Sequence, residues 1–249
     1  MYSSAQLLLL AEQYYWPFLR LSALFLAAPV FGAASVPVRV RLIMAVAITA
    51  LVMPLLPPMP AVDVLSAAGI LLAAQQVVIG LTMGFIVQLI FGAAVIAGQT
   101  IAMTMGLGFA LSVDPQNGVQ VPTLSQFYVI LATLIFVVVD AHLYLIEFLV
   151  QSFTLLPIGA TIMRDTFALD VVMLGSGMFL NSLLLVMPAM TAVLLINIAF
   201  GVITRAAPQL NIFAVGFPIT ILAGFVFIFL SLPAVFPLLE HMLQGGLIA

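Results

Sequence analysis

The chain has no cysteine and no lysine, and its positive charges are five arginines. Without cysteine there is no disulfide framework and no thiolate chemistry, and nothing to indicate redox compartment. Charge of either sign is scarce: 5% of the 249 residues are charged, 65% are hydrophobic, and mean hydropathy is +1.38. A soluble domain carries roughly 25% charged residues, so this chain cannot cover its own surface in water. The net charge of −3 excludes a nucleic-acid surface, which needs a dense basic patch. A basic n-region is also missing from the N-terminal stretch MYSSAQLLLLAEQYYW, which brings Glu12 soon after its leucines. It is expected to begin a retained helix, not a cleaved leader.

What is present are long charge-free runs, over residues 42–62, 64–113, 115–139, 171–204 and 206–239. Each reaches the ~18–20 apolar residues of a membrane-crossing helix. The stretch 5–31 is equally apolar but holds Glu12 and Arg20. The expected fold is all-α and membrane-associated, with six long helical segments arranged as hairpins near 5–31, 38–56, 64–105, 123–151, 167–203 and 211–243. Breaks fall where helix breakers cluster, as at Pro54, Pro57, Pro58 and Pro60, or at Asp114-Pro115-Gln116-Asn117-Gly118. With no short repeat and no low-complexity linker, one domain over 1–249 is expected. Arg39, Arg41 and Arg205 fall on one side of six alternating spans and Arg164 on the other, which leans towards a cytoplasmic side for the first group.

Two features depart from an ordinary six-span protein. The third and fifth segments approach 40 residues, about 60 Å as helix, or roughly twice the hydrocarbon thickness. They are expected to bend, fold back or project beyond the bilayer, with Gly80, Gly84, Gly92, Gly98, Gly175, Gly177 and Pro188 as candidate bends. The stretch 106–122 is too apolar for a solvated connection and too rich in glycine and proline for a regular helix. Irregular backbone at membrane depth is tolerated only inside protein or against a water-filled cavity. Composition leaves it either a buried connector or a loop lining a pore or site.

Catalytic chemistry finds no constellation. Asp140, His142 and Glu147 are ionisable residues inside one apolar segment, but on a helix the histidine points away from both acids. No His-x3-His or Glu-x2-His pair offers a metal site, and no cofactor motif occurs. The expectation is a protein that is not an enzyme and has no cofactor. A secondary transporter would show two related halves with interrupted helices, and no such symmetry is visible.

Other residues point to assembly. Glu12 and Arg20 are costly against lipid and, eight residues apart, lie about 12 Å from each other along a helix, so other helices or other subunits must satisfy them. Gly80-Leu81-Thr82-Met83-Gly84 is a G-x-x-x-G match that permits close helix approach. Gln75, Gln76, Gln88 and Gln99 on the same segment need hydrogen-bond partners in an apolar setting. These eight residues are the subunit-interface candidates. Met103 and Met105, just before the irregular stretch, are core residues by the plain reading, or a deformable surface closing around varied cargo.

The strings Leu19-Arg20-Leu21-Ser22, Ala28-Pro29-Val30-Phe31-Gly32 and Val36-Pro37-Val38-Arg39-Val40-Arg41 resemble the start of the FliR family of flagellar biosynthesis proteins. The resemblance continues through Gln75-Gln76, Gly80, Ala97-Gly98-Gln99 and the 106–122 stretch with Leu124-Ser125-Gln126-Phe127-Tyr128. His142, Ser152-Phe153 and Pro157-Ile158-Gly159 also carry it, as do Arg205-Ala206-Ala207-Pro208-Gln209-Leu210-Asn211-Ile212-Phe213 and Gly216-Phe217-Pro218. It spans essentially the whole chain, and it resembles the flagellar branch more than the virulence (injectisome) branch of the superfamily.

The resemblance implies one subunit of a type III protein export gate in a helical assembly with about five FliP and about four FliQ subunits. That gate passes unfolded rod, hook and filament proteins across the bacterial inner membrane. FlhB would wrap its entrance and FlhA would lie beneath, with membrane lipid around and no nucleic acid. Residues 1–165 would be FliP-like and 166–249 a FliQ-like hairpin. The channel plug would include Gly106, Gly108, Phe109, Leu111, Asp114, Pro115, Gln116, Asn117 and Gly118, with Met103 and Met105 near a gasket. Arg205, Pro208, Asn211, Phe213, Gly216, Phe217 and Pro218 would form a turn at the cytoplasmic entrance. The family's gate rises towards the periplasmic side, so hydropathy is expected to report the right helices at the wrong depth.

Overall fold

The computed structural model describes residues 4–60, 62–107, 123–160, 167–207 and 212–248, without the side chains of 4–11, 167, 168, 212–214 and 244–248. The described residues form helices and turns and no strand. The order is α1 (Ser4–Ala27), α2 (Val38–Val52, continued by a 3-10 turn over Met53–Leu55), α3 (Ala67–Thr104), α4 (Thr123–Val138), α5 (Ala141–Leu155), α6 (Phe167–Ala206) and α7 (Ile212–Ile248). Four of these are long and apolar enough to cross a membrane, over Val38–Leu55, Ala67–Thr104, Leu169–Ala206 and Val215–Leu243. The number is five if α4 and α5 count as one broken span.

Local chemistry accounts for most boundaries. Asp63 Oδ1 accepts from the Leu65 amide at 3.0 Å, and Ser66 Oγ then accepts from the Gly69 amide at 3.0 Å. Ser66 is therefore the cap of α3 and satisfies one of its free first-turn amides. Pro54 ends α2 in a single tight turn. α5 stops at Leu156, ahead of Pro157. In α6, Asp170 lies in the first turn and Arg205 in the last, both favourable to the helix dipole.

The fourth expected segment, 123–151, is two helices. Asp140 breaks it with φ 55°, the one non-glycine residue in the left-handed region among those described. The break also removes the shared helical face expected for Asp140 and Glu147. Conversely, α3 and α6 stay helical for 38 and 40 residues. The helix runs on through Gly80, Gly84, Gly92 and Gly98, and through Gly175, Gly177 and Pro188, so none of these turns the chain back.

The helices distribute into two compact units. The first takes residues 1–89, 140–175 and 245–249, and the second takes 90–139 and 176–244. Trp16, Leu21, Leu24, Phe25, Leu145, Leu149 and Phe153 are buried in the first, where Phe25 and Phe31 stack at 4.5 Å. In the second, Ala93, Ala94, Ala97, Ile101, Tyr128 and Phe136 are buried, and Phe91 meets Phe136 edge-on at 6.0 Å. Half of the α3 span is buried inside the chain, against 17% for α2, 22% for α6 and 28% for α7. The latter three present mostly apolar surface outward.

Candidate functional site

The described part of the plug candidate is its upstream end, and its geometry is definite. The amide of Leu107 bonds to the Ala102 carbonyl at 2.9 Å and that of Gly106 to the Met103 carbonyl at 3.0 Å. With Gly106 at φ +83°, this is a Schellman termination of α3, in which the left-handed residue is normally glycine. Gly106 is thus the stop of α3 as well as the first residue of the segment that follows. Gly108, Phe109, Leu111, Asp114, Pro115, Gln116, Asn117 and Gly118 lie outside the described residues.

Helices of the same unit hold this stop from two sides. A Cβ on Gly106 would stand 2.7 Å from Phe217 Cε2, and a Cβ on Gly224 would stand 2.5 Å from each of three Met105 side-chain atoms. Thr220 Oγ1 lies 3.5 Å from the Met105 carbonyl. Phe217, Thr220 and Gly224 share one face of α7 at i, i+3, i+7 spacing. From α6, Asn197 Nδ2 donates to the Thr104 carbonyl at 3.2 Å. The segment returns to the same helix: Ser125 Oγ donates to the Val95 carbonyl at 2.9 Å, and Gly98 packs directly on the Ser125 backbone. Departure at Gly106 and return at Gly98 are eight residues apart on α3, about 12 Å of rise.

The two gasket candidates separate. Met103 is exposed, whereas Met105 is fully buried. Met105 packs as a core residue of the second unit, its side chain filling the space that Gly224 leaves. The entrance-turn candidates separate as well. Arg205 is exposed at the end of α6. Pro208 and Asn211 lie outside the described residues, and Phe213 is described in its backbone alone. Pro218 is exposed within α7, Gly216 is buried, and Phe217 is the residue that meets Gly106.

Among the interface candidates, Arg20 and Gln76 have no exposed surface and form an internal centre of the first unit. Arg20 Nε and Nη2 donate to Gln76 Oε1 at 2.8 and 2.5 Å. Its Nη1 donates to Ser152 Oγ at 2.9 Å and its Nη2 to the Leu156 carbonyl at 3.0 Å. The guanidinium also lies 3.9 Å over the Phe153 ring. One cation thus ties α1, α3 and α5 together through neutral acceptors and a π-face. Gln75 works beside it, donating to the Ala160 carbonyl at 2.6 Å and accepting from the Gly159 amide at 3.2 Å. Gly80 and Gly84 are also taken up internally, since a Cβ at either would strike α1 at Arg20–Leu24 or Leu24–Ala28. Glu12 is half-buried, and Gln88 and Gln99 are exposed.

Ser152, Phe153, Asn197 and Thr220 carry these contacts and did not stand out in the sequence as partners. Their signal is weak, since an isolated hydroxyl or amide on an apolar helix is common. Among the described residues, no three His, Asp or Glu side chains gather where a metal could bind.

Comparison with known proteins adds three findings. The description "Bacterial export proteins, family 1" matches residues 11–246. The chain is 42% identical over 231 residues to the flagellar biosynthetic protein FliR of Pectobacterium carotovorum, covering 93% of this chain and 88% of that protein. It is 40% identical over 240 residues to FliR of Escherichia coli K12, covering 96% and 92%, and 28% identical over 228 residues to FliR of Bacillus subtilis 168, covering 90% and 88%.

Proposed function

Because the chain belongs to the bacterial export protein family that includes the flagellar biosynthetic protein FliR, we propose that it is a structural subunit of the type III protein export gate. In this reading it assembles with FliP and FliQ subunits into a channel for unfolded flagellar proteins, with FlhB and FlhA as further neighbours. Residues 166–249, which hold α6 and α7, supply the FliQ-like hairpin, and 1–165 the FliP-like part. The gate belongs to the inner membrane and is raised towards the periplasmic side. The relatives are named as biosynthetic proteins, not enzymes, and the chain acts by assembly, without catalysis. Their flagellar names also favour flagellar over virulence cargo.

The observation that carries the channel reading is the pinned pair of ends at Gly106 and Ser125. A segment rich in glycine and proline leaves a capped helix at Gly106 and returns to that helix at Ser125, so its two ends are fixed. That is what a plug across a narrow lumen requires. Exposed apolar faces on α2, α6 and α7 support assembly, because apolar areas of this extent mark contact surfaces or lipid. Co-expression with FliP and FliQ, followed by native mass measurement, tests the assignment. One copy of this chain in a complex with several of each partner is expected; a stable, functional monomer contradicts it.

A further inference from the structure

In the first unit, an open apolar groove of about 380 Å³ lies between α1, α2 and α3. Leu19, Ala23 and Leu26 line it from α1, Leu42 and Ala45 from α2, and Leu81 from α3. A second hollow of about 390 Å³, beside Phe85 and Gln88, shares Leu81 with it. The groove offers almost no hydrogen bonding: Ser22 Oγ is already committed to the Phe18 and Leu19 carbonyls, at 2.6 and 3.1 Å. An extended peptide would leave its backbone unpaired there. One turn of helix, about 10 Å across, would by itself fill that volume. A flexible hydrocarbon chain meets neither difficulty.

The single charged lining residue is Arg41. Its Nε donates to the Phe31 carbonyl at 3.0 Å, and its Nη2 to the Ala33 and Val36 carbonyls at 3.3 and 3.5 Å. The guanidinium is therefore fixed at the groove, with Nη1 unpartnered among the described residues. Arg39, two positions earlier, is exposed and has no carboxylate partner among the described residues. Both arginines sit in the first turn of α2, where the helix dipole disfavours cations, and that turn has no side-chain cap. The Arg41 guanidinium, held at the uncapped start of a helix beside an apolar groove, is complementary to an anion that carries an apolar tail.

We propose that this groove binds one acyl chain of an anionic phospholipid, with its phosphate held by Arg41. Exposed Val38, Ile43, Val46 and Leu51 on α2 give the lipid a lateral approach. The site is separate from the plug anchor and does not depend on the plug.

The test uses the complex of this chain with its co-expressed partners, in detergent, followed by native mass spectrometry. Phosphatidylglycerol and phosphatidylethanolamine with matched acyl chains are titrated separately. One phosphatidylglycerol is expected to be retained per copy of this chain, about five-fold more tightly than phosphatidylethanolamine, given one arginine at the headgroup. Leu42→Trp fills the groove without touching a charge and should remove that lipid. Arg41→Gln should weaken phosphatidylglycerol retention, whereas Arg39→Gln, on another face of α2, should leave it unchanged. Inorganic phosphate should not displace the lipid. Equal retention of the two lipids, retention in Leu42→Trp, displacement by phosphate, or a groove filled by a partner's protein segment with no lipid bound would each overturn the proposal.

Discussion

Gly106 stands against the ring of Phe217, so close that a Cβ at position 106 would lie 2.7 Å from Cε2, and its own φ is +83°. Two constraints therefore meet at one residue. The left-handed backbone ends α3, and the missing side chain lets α7 approach. Phe217 lies in the second turn of α7, which begins at Ile212. The stop of α3 and the second turn of α7 are thereby one packed contact.

Replacing Gly106 with valine should strain both constraints. A left-handed non-glycine residue costs roughly 1–2 kcal/mol, and overpacking against the ring adds about 1–3 kcal/mol. Thermal unfolding of the assembled complex should fall by several degrees. Adding Phe217→Ala should recover part of the loss but not all, because the backbone term remains. Full recovery would mean that φ at 106 is not a constraint.

Met105 and Gly224 make a second matched pair. Gly224→Val should destabilise by about 1–3 kcal/mol through overpacking, since Met105 has no exposed surface into which to retreat. Met105→Ala alone should cost about 2–5 kcal/mol from the cavity it leaves. The double variant should be milder than the sum of the two, because the new methyls occupy the vacated space. Strict additivity in a thermal-stability cycle would show that the two residues are not coupled.

Arg20 is buried among Gln76, Ser152, the Leu156 carbonyl and Phe153. Arg20→Lys keeps the charge but loses the planar fork that bonds several acceptors at once. Arg20→Ala leaves buried acceptors unpaired, at about 1–3 kcal/mol each. Both should lower the level of folded protein, alanine more than lysine. Arg20→Met with Gln76→Leu, which removes charge and acceptor together, should fold better than Arg20→Ala alone. If the paired variant is the worse of the two, this centre is held by something other than its hydrogen bonds.

The helices were largely legible, because an apolar run of 20 or more residues has one stable form in an apolar setting. The break at Asp140 was not. An aspartate in apolar sequence looks like a span edge, and only the fold shows it holding a left-handed turn between two helices. Glycine roles were half legible. Gly80 and Gly84 stood out as sites where a helix can approach closely, but the sequence could not say that α1 of the same chain packs there. Arg20 had to find acceptors, yet Gln76, Ser152 and Leu156 lie 56, 132 and 136 residues away, and no periodicity links them. At the plug candidate the structure describes Gly106 and Leu107, and their contacts on α6 and α7 come from isolated polar and small residues with no pattern of their own.

A contrast between glycines follows from their surroundings. At Gly98 a Cβ would collide with the Ser125 backbone, whereas at Gly175 nothing lies within 4 Å. Gly98→Ala should destabilise and loosen the return of α4 onto α3. Gly175→Ala should leave the chain as stable or gain up to about 1 kcal/mol in helix propensity. Thermal melts of the two variants check this, and a reversed order would contradict the packing described.

The measurement closest to the central claim is the ion conductance of the assembled complex after residues 108–122 are replaced by a short Gly-Ser linker, with Gly106 and Ser125 kept. The linker complex should assemble with the same native mass and should pass small ions that the unaltered complex holds back. A complex that assembles normally and stays ion-tight would contradict the assignment of this segment as the plug.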